Sequence, residues 1–433
     1  MKIGKISKNT LWLACSAILI SILLASSIFA ACAQPANFAT ETVRPEDVGL
    51  SSEKLDQIGA TLNADIADGK INGAVLLVAR NGKTAYLKSY GTRDADNKVP
   101  MTSDSIFRIF SMTKSLTAVS IAMLVEEGKL SLTDPVSKYL PSFKNMKVAQ
   151  VTTDKNGNDT VTLVESSREI TIKDLATHTS GLGYWFLTPT VIQNIYLEAG
   201  MADLEGYTNA EVCEKIAKLP LMENPGTLYR YGMNYDVLGR VVEVVSGMTL
   251  DKFFTERIYK PLKMKDSGFQ VAAGNEGRLV YLDPTWPLYM DPTSPDRKYW
   301  SGGGGSTSTA TDYARFAQML LNGGELDGVR LLKPESVALI TSDQLGPLGN
   351  RKDSAYVPGR GYGVGFDFYV RVDDPASNAP GSVGAFNKDG IAGTSYWVDP
   401  KQNLLAVFMI SSTSLGQYYR YSMGPAIYQA VIK

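Results

Sequence analysis

The chain carries at residues 107–114 the stretch Phe107-Arg108-Ile109-Phe110-Ser111-Met112-Thr113-Lys114, at the start of an apolar helical pattern that continues to residue 127. Ser111 and Lys114 are three residues apart, so both side chains lie on one face of that helix. A serine hydroxyl is too weakly acidic to attack unaided and needs a neighbouring base. A lysine can be that base when burial or nearby cations lower its pKa. Ordinary surface helices also carry this short pattern, so its meaning depends on the rest of the chain.

Strand patterns lie at both ends of the chain, with mostly helical patterns between them. Asn81-Gly82 and Asn156-Gly157 predict hairpins over 74–90 and 148–163, and residues 363–370 alternate as a strand. Helical spacing covers residues 51–67, 111–127, 172–177, 209–218, 234–246, 250–259, 309–322 and 415–431. We therefore expect an α+β fold, in which one antiparallel sheet is flanked by helices and a mostly helical lobe is inserted.

The same patterns predict how the chain is divided. The sheet lobe would comprise about 45–130 and 300–433, and the helical lobe about 131–299. Together they form one predicted hydrolase domain over residues 34–433. An active site is expected where the two lobes meet.

Two motifs further along the chain accompany the Ser111 pattern and make it more specific. They are Tyr229-Arg230-Tyr231-Gly232-Met233-Asn234, followed by Tyr235 to Gly239, and Lys388-Asp389-Gly390-Ile391. With them in this order, the chain from about residue 45 to its end resembles the serine β-lactamase and penicillin-binding-protein superfamily. Within that superfamily it is most similar to the class C-like branch that includes the family VIII carboxylesterases. The resemblance implies a β-lactamase/transpeptidase-like fold.

The resemblance also implies catalytic roles. Ser111 would be the nucleophile, and Lys114 and Tyr231 would share its proton and pass one to the leaving group. Tyr229 is the nearby alternative to Tyr231, which the motif position favours. Acyl transfer needs such a nucleophile, a base and fixed donors for the oxyanion, so the resemblance agrees with the chemistry of the residues themselves.

Substrate binding and oxyanion stabilisation would fall to the last motif, at Lys388, Gly390 and Ile391. Lys388 would lie on an edge strand facing the nucleophile, where its charge favours a tyrosinate or a neutral lysine. The backbone N–H groups of Ser111 and Ile391 would form the oxyanion hole.

Two departures from the β-lactamase pattern indicate the substrate. Met233 stands where β-lactamases carry Asn, and Asp389 stands where they carry Thr or Ser. Both changes favour a carboxylesterase acting on short-chain neutral esters. A class C-type β-lactamase or D-Ala-D-Ala carboxypeptidase remains an alternative, and an inactive cell-envelope binding protein is a third.

The remaining residues of interest are weaker candidates for a catalytic role. His178 is the only histidine, and the chain has no Gly-x-Ser-x-Gly sequence, which argues against a Ser-His-Asp hydrolase. The run 302–305 is four glycines, which predicts a tight loop near the site. Six loop aromatics are candidates for lining a pocket or for burial beneath the loops: Tyr184, Trp185, Phe186, Trp286, Tyr289 and Trp300.

Composition limits the partners. The 43 basic and 44 acidic residues nearly balance, so nothing indicates nucleic acid as a partner. The three cysteines form no metal-binding pattern, and a buried, inert thiol is expected at Cys213. We expect neither a metal nor a cofactor, and a small ester or amide as the substrate.

The first 33 residues resemble a bacterial export signal. Three lysines within the first eight residues precede the uncharged run 11–31, which ends in Phe29-Ala30-Ala31-Cys32-Ala33. This predicts a periplasmic or secreted protein whose mature chain begins near residues 32–34. Cys32 also resembles the lipid-bearing cysteine of lipoproteins, which would attach the protein to a membrane. The apolar run is long enough for a retained membrane span to remain an alternative.

Overall fold

The computed structural model describes residues 38, 42–187, 190–346, 348, 361–372 and 380–432. The predicted export signal over residues 1–33, including Cys32, lies outside the described residues. Within the described part, no helix combines the length and apolar character needed to cross a membrane.

The described part of the chain contains five strands of seven to nine residues and eight shorter ones. In chain order they are β1 (Gly73–Arg80), β2 (Lys83–Gly91), β3 (Phe107–Arg108), β4 (Lys147–Thr153), β5 (Asp159–Glu165), β6 (Thr307–Ser308), β7 (Glu325–Leu326), β8 (Val329–Arg330), β9 (Tyr362–Val364), β10 (Tyr369–Arg371), β11 (Phe386–Asp389), β12 (Ser395–Asp399) and β13 (Leu404–Ile410). Seven of them form one antiparallel sheet in the order β2-β1-β13-β12-β11-β10-β9. The N-terminal hairpin pairs with the last strand, so strands from the two ends of the chain form one antiparallel sheet, as the sequence predicts.

The α-helices are α1 (Ser52–Ala67), α2 (Thr113–Glu126), α3 (Ile172–Ala176), α4 (Val191–Glu198), α5 (Asn209–Ile216), α6 (Asn234–Ser246), α7 (Leu250–Phe254), α8 (Ala310–Leu321), α9 (Pro334–Ile340) and α10 (Gly416–Gln429). Single 3₁₀ turns add Pro45–Val48, Phe110–Met112, Val136–Lys138, Pro141–Phe143 and Glu276–Arg278, and a π-turn over Thr255–Tyr259 extends α7. The Ser51 side chain caps α1 by accepting a hydrogen bond from the Lys54 N–H at 3.2 Å.

The sheet is buried on both faces, which explains why β1 reads as a continuous apolar run. Because side chains alternate along a strand, Leu76 and Val78 pack with α1 and α10, and Val75 and Leu77 pack into the core shared with α2 and α8. The helical segments between β3 and β6 continue that second core. The α+β architecture with an inserted helical lobe is thus confirmed.

A strained turn places Ser111 between the short strand β3 and helix α2. The short strand β3 leads into the 3₁₀ turn Phe110–Met112, and α2 follows directly. Phe110 has a φ of 44°, which is unusual for a residue with a side chain. Such strain persists only where the surrounding structure enforces it, and it often occurs at functional sites.

Two details of the sheet differ from the predictions. Residues 363–370 are not one strand but the hairpin of β9 and β10, with a tight turn in which Gly365 N–H donates to Phe368 O at 2.9 Å. Asp367, in that turn, has a φ of 63°. Consequently the strand that carries Lys388 is not an edge strand, because β10 and β9 lie outside it.

Candidate active site

Ser111, Lys114 and Tyr231 meet at the start of α2. The Tyr231 hydroxyl donates to Ser111 Oγ at 2.7 Å, and Lys114 Nζ lies 3.1 Å from the same oxygen. Lys114 reaches Ser111 because the helix places residues three apart on one face. Tyr231 comes from the segment just before α6. The structure therefore brings together the three residues that the sequence predicts as catalytic.

Lys114 is almost completely buried, and its hydrogen-bond partners are uncharged. Besides Ser111 Oγ, its Nζ donates to Gly303 O at 2.5 Å. Burial lowers the pKa of Lys114 to about 8, although the negative charge of Asp367 acts in the opposite direction. A substantial share of Lys114 is thus neutral near pH 8, and a neutral amine can accept the proton of Ser111.

Tyr231 is held on several sides by charged and aromatic groups. Its ring centroid lies 4.7 Å from Lys114 Nζ, 4.8 Å from Lys388 Nζ and 4.7 Å from the His178 ring centroid. Burial raises the pKa of Tyr231 well above its ordinary value. Of the two states that the sequence left open, the structure favours a neutral lysine over a tyrosinate.

Lys388 does not lie on the wall of the cleft. It is almost completely buried, and its Nζ donates to Asp367 Oδ1 at 2.8 Å. Its Nζ lies 4.8 Å from the Tyr231 ring centroid, so its charge can act on Tyr231 and Lys114, but the side chain is not among the residues that line the cleft. The predicted role in substrate binding is therefore corrected to an electrostatic role.

His178 is a buried structural group rather than a base for Ser111. Its Nε2 lies 2.9 Å from Asp367 Oδ1, and its Nδ1 lies 2.8 Å from Asn234 Nδ2. Burial lowers the pKa of His178 to about 4, against the opposing influence of Asp367. His178 is thus neutral at physiological pH, as expected for a residue outside the catalytic chemistry.

Gly390 and Ile391 differ in what they offer to the cleft. The Gly390 N–H donates to Thr394 O at 2.7 Å within this turn; the predicted oxyanion donors are the N–H groups of Ser111 and Ile391. A Cβ on Gly390 would lie 2.5 Å from Ile109 O, so glycine lets this turn pack against the segment before Ser111. Ile391 and Ser111 both line the cleft, where the predicted pair of backbone donors would face an oxyanion.

Asp389 pairs with a residue that the sequence did not suggest. Its Oδ1 lies 2.7 Å from Nη2 of Arg420 on α10, and both residues line the cleft. The ion-pair partner of Asp389 is thus Arg420, whereas Lys388 is bound to Asp367. Burial raises the pKa of Asp389 despite the opposing effect of Arg420.

The cleft above Ser111 is largely apolar and encloses about 880 Å³ of space, its open mouth included. Phe110 and Trp286 meet edge to face at 5.5 Å and support this wall. Of the six loop aromatics, Trp286 and Trp300 are not among the lining residues. The apolar part of the lining consists of Phe110, Tyr184, Trp185, Phe186, Met201, Ala202, Leu204, Tyr231, Met233, Pro287, Leu288, Tyr289, Met290, Tyr299 and Ile391.

The glycine loop 302–305 lies beside the site, as predicted, and a buried carboxylate holds it there. Asp236 Oδ1 accepts from the hydroxyls of Tyr299 and Ser301, both at 2.6 Å, and from the Gly303 N–H at 3.3 Å. Gly303 O in turn binds Lys114. Asp236 lies within the second motif, but nothing in its spacing revealed this role.

Comparisons with known proteins identify relatives along most of the chain. The Beta-lactamase family matches residues 55–421. An uncharacterized protein of Mycobacterium tuberculosis is 36% identical over 370 residues, covering 82% of this chain and 90% of its own length. The esterase EstB of Burkholderia gladioli is 29% identical over 393 residues, covering 85% and 92%.

Among solved structures, the hydrolase EstCE1, whose description includes promiscuous acyltransferase activity, superimposes with a TM-score of 0.72. It is 25% identical, and the match covers 88% of this chain and 99% of that protein. These similarities place esterases among the relatives of the chain and support the esterase-like branch of the superfamily. The chain belongs to the Beta-lactamase family of serine hydrolases.

Proposed function

We propose that the protein is a carboxylesterase that hydrolyses neutral, short-chain esters through an acyl-enzyme on Ser111. The observation that carries this proposal is the contact of both Lys114 and Tyr231 with Ser111 Oγ beneath a cleft with apolar walls. Acyl transfer requires neighbouring groups that can take up the proton of the nucleophile, and here Lys114 and Tyr231 both lie beside Ser111 Oγ. The relative EstB is named an esterase, which supports the same class of reaction.

In the proposed acylation step, Ser111 Oγ attacks the ester carbonyl while neutral Lys114 accepts the seryl proton. The negative charge that develops on the carbonyl oxygen is stabilised by the N–H groups of Ser111 and Ile391. Tyr231 donates its proton to the departing alcohol and regains one from Lys114. The C–O bond to the alcohol breaks, and the acyl group remains on Ser111.

Deacylation uses the same groups in the reverse direction. A water molecule loses a proton toward Lys114 and Tyr231 as its oxygen attacks the acyl carbonyl. The tetrahedral intermediate collapses, and Ser111 Oγ leaves with a proton. Neither step requires a metal or cofactor.

Two features of the cleft support an ester over a β-lactam or peptide. The buried Met233 presents an apolar side chain to the cleft, whereas Asn234 points away and contacts His178. Arg420, the basic residue among the described lining, is paired with Asp389 and is not offered to a substrate carboxylate. β-Lactams and D-alanyl peptides carry such a carboxylate, but a neutral ester does not.

Short p-nitrophenyl esters are therefore expected to give a higher kcat/KM than nitrocefin or a D-alanyl-D-alanine peptide. The physical reason is that a neutral ester needs no cation in the cleft, and its alcohol leaves more easily than an amine. A substrate panel measured under one set of conditions checks this. Preference for nitrocefin would instead favour the β-lactamase alternative, and no turnover of any substrate would favour the inactive binding protein.

The variant Asp389→Thr tests why carboxylates are disfavoured. Removing the carboxylate releases Arg420 toward the cleft, so the ratio of nitrocefin to ester kcat/KM should rise by about 10-fold, as for one partly desolvated charge interaction. Asp389→Asn is a second test of the same charge, because it removes the charge at nearly constant volume. It should shift the ratio in the same direction. An unchanged ratio in both variants would refute this explanation of specificity while leaving the esterase proposal standing.

We also propose that the protein is exported, on the basis of the N-terminal sequence pattern alone. N-terminal sequencing of the protein from native membranes and periplasm is expected to find a start near residues 32–34. A blocked, lipid-bearing Cys32 would identify a lipoprotein at the cell envelope. An intact Met1 would contradict cleavage and favour the retained span.

A further inference from the structure

Asp367 is a buried carboxylate behind the site, brought there by the tight turn between β9 and β10. Its Oδ1 accepts hydrogen bonds from Lys388 Nζ at 2.8 Å and His178 Nε2 at 2.9 Å. Its side chain is completely buried, and Oδ2 has no hydrogen-bond partner within the described part of the chain. The positive φ of Asp367 adds backbone strain to this cost of burial. Because burial and backbone strain both lower the stability of the fold, Asp367 is a candidate for a functional role.

Lys114 and Lys388 lie at nearly equal distances from the Tyr231 ring, 4.7 and 4.8 Å, and both are buried. They differ in their partners. Lys388 forms an ion pair with Asp367, whereas Lys114 contacts a hydroxyl and a backbone carbonyl. An isolated charge is costly to bury, but a charge with a hydrogen-bonded counterion is tolerated.

The partners decide which lysine loses a proton. If Lys388 were deprotonated, Asp367 would remain as a buried anion without a counterion, contacted only by the neutral amine of Lys388 and the neutral His178 among its described partners. If Lys114 is deprotonated, the pair of Lys388 and Asp367 stays neutral as a unit. We propose that Asp367 is a positioning residue: by pairing with Lys388 it keeps the positive charge there and leaves Lys114 as the lysine that accepts the proton of Ser111.

The two charges of the pair act on Lys114 in opposite directions, so their pairing decides the outcome; this inference rests on the proposed function. Lys388 and His178 hold the pKa of Asp367 below its ordinary value although burial acts to raise it. The charged or titratable groups that act on Lys114 or Tyr231 from the surrounding elements are Tyr184, His178, Asp236, Asp367, Tyr369, Lys388 and Asp389. Among the charged neighbours, Asp367 raises the pKa of Lys114 most strongly and Lys388 lowers it.

The pairing predicts how substitutions should move the pH profile of ester hydrolysis. In Lys388→Met, the acid limb of kcat/KM for p-nitrophenyl butyrate is expected to move to higher pH, because Lys114 loses a neighbouring cation and is left beside the unpaired Asp367. In Asp367→Asn, Lys388 loses the counterion that holds its positive charge, so Lys114 competes with it for the charge and the limb is expected not to move to lower pH. Loss of the anion without this competition would move the limb to lower pH by about 1 unit. In the double variant Lys114 has neither neighbour, and the limb should return toward its wild-type position.

The double variant also guards against misfolding, because replacing a buried ion pair with uncharged groups is often tolerated when removing one partner is not. Circular dichroism confirms that each variant is folded. A purely structural role for Asp367 would lower the rate without moving the limb in Lys388→Met. Either that result, or a shift of the limb to lower pH in Asp367→Asn, would overturn the proposal. If wild-type ester hydrolysis is absent, or persists in Ser111→Ala, the proposed function itself has failed, so the two failures are distinguishable.

Discussion

Ser111→Ala is expected to lower kcat for ester hydrolysis by about 10³–10⁶-fold, because the catalytic groups act as one unit around that oxygen. Lys114 and Tyr231 both contact Ser111 Oγ, so without it they have no proton to accept and no acyl group can be held. The fold should survive, since Ser111 is only partly buried and the strained Phe110 turn does not depend on the hydroxyl. Steady-state kinetics with a p-nitrophenyl ester measures the loss.

Ser120→Ala is the matched control for that experiment. Ser120 lies on the same helix and is buried, but among the described residues its hydroxyl donates to Leu116 O alone, at 2.8 Å, one turn back. Its loss should leave kcat within a few-fold of wild type, because such a backbone contact contributes little to helix stability. Full activity in Ser111→Ala would contradict every step of the proposed mechanism.

Lys114→Ala and Tyr231→Phe are expected to approach the same loss, again about 10³-fold or more, because each removes one end of the proton path. Lys114 is the group whose burial brings its pKa to about 8, and its neutral form is the active one. The kcat/KM of the wild-type enzyme should therefore rise with pH through about 8. This acid limb should disappear in Lys114→Ala, as a full pH profile of both proteins will show.

Tyr229→Phe is the control for Tyr231→Phe. The Tyr229 hydroxyl is also buried, but it has no hydrogen-bond partner among the described residues. Removing it should cost little activity. A larger loss in Tyr229→Phe than in Tyr231→Phe would mean that the roles of the two tyrosines have been assigned the wrong way round.

Much of the fold could be predicted because local sequence patterns encode it directly. Asn81 and Gly82 both adopt positive φ, which is the turn chemistry that places β1 against β2. The Ser51 cap and the alternation of β1 likewise follow from neighbouring residues. The catalytic trio was predictable because Ser111 and Lys114 are close in sequence and Tyr231 lies in a recognisable motif.

The parts that were missed depend on contacts between distant segments. His178 and Asp367 are 189 positions apart, and no local pattern links them. The sequence predicts a continuous strand across the β9–β10 turn because Phe366 and Phe368 preserve the alternation of apolar residues. The Gly and Asp beside them are nevertheless common turn residues. Arg420 lies on the last predicted helix, and nothing in its local sequence indicates that the fold brings it to Asp389.

The most direct test of the account is mass spectrometry of the enzyme quenched during turnover of a slow ester. The account predicts a mass increase equal to the acyl group, located on the peptide that contains Ser111 and absent in Ser111→Ala. An adduct on any other residue, or turnover without an adduct under conditions where deacylation is rate-limiting, would contradict a covalent mechanism at Ser111.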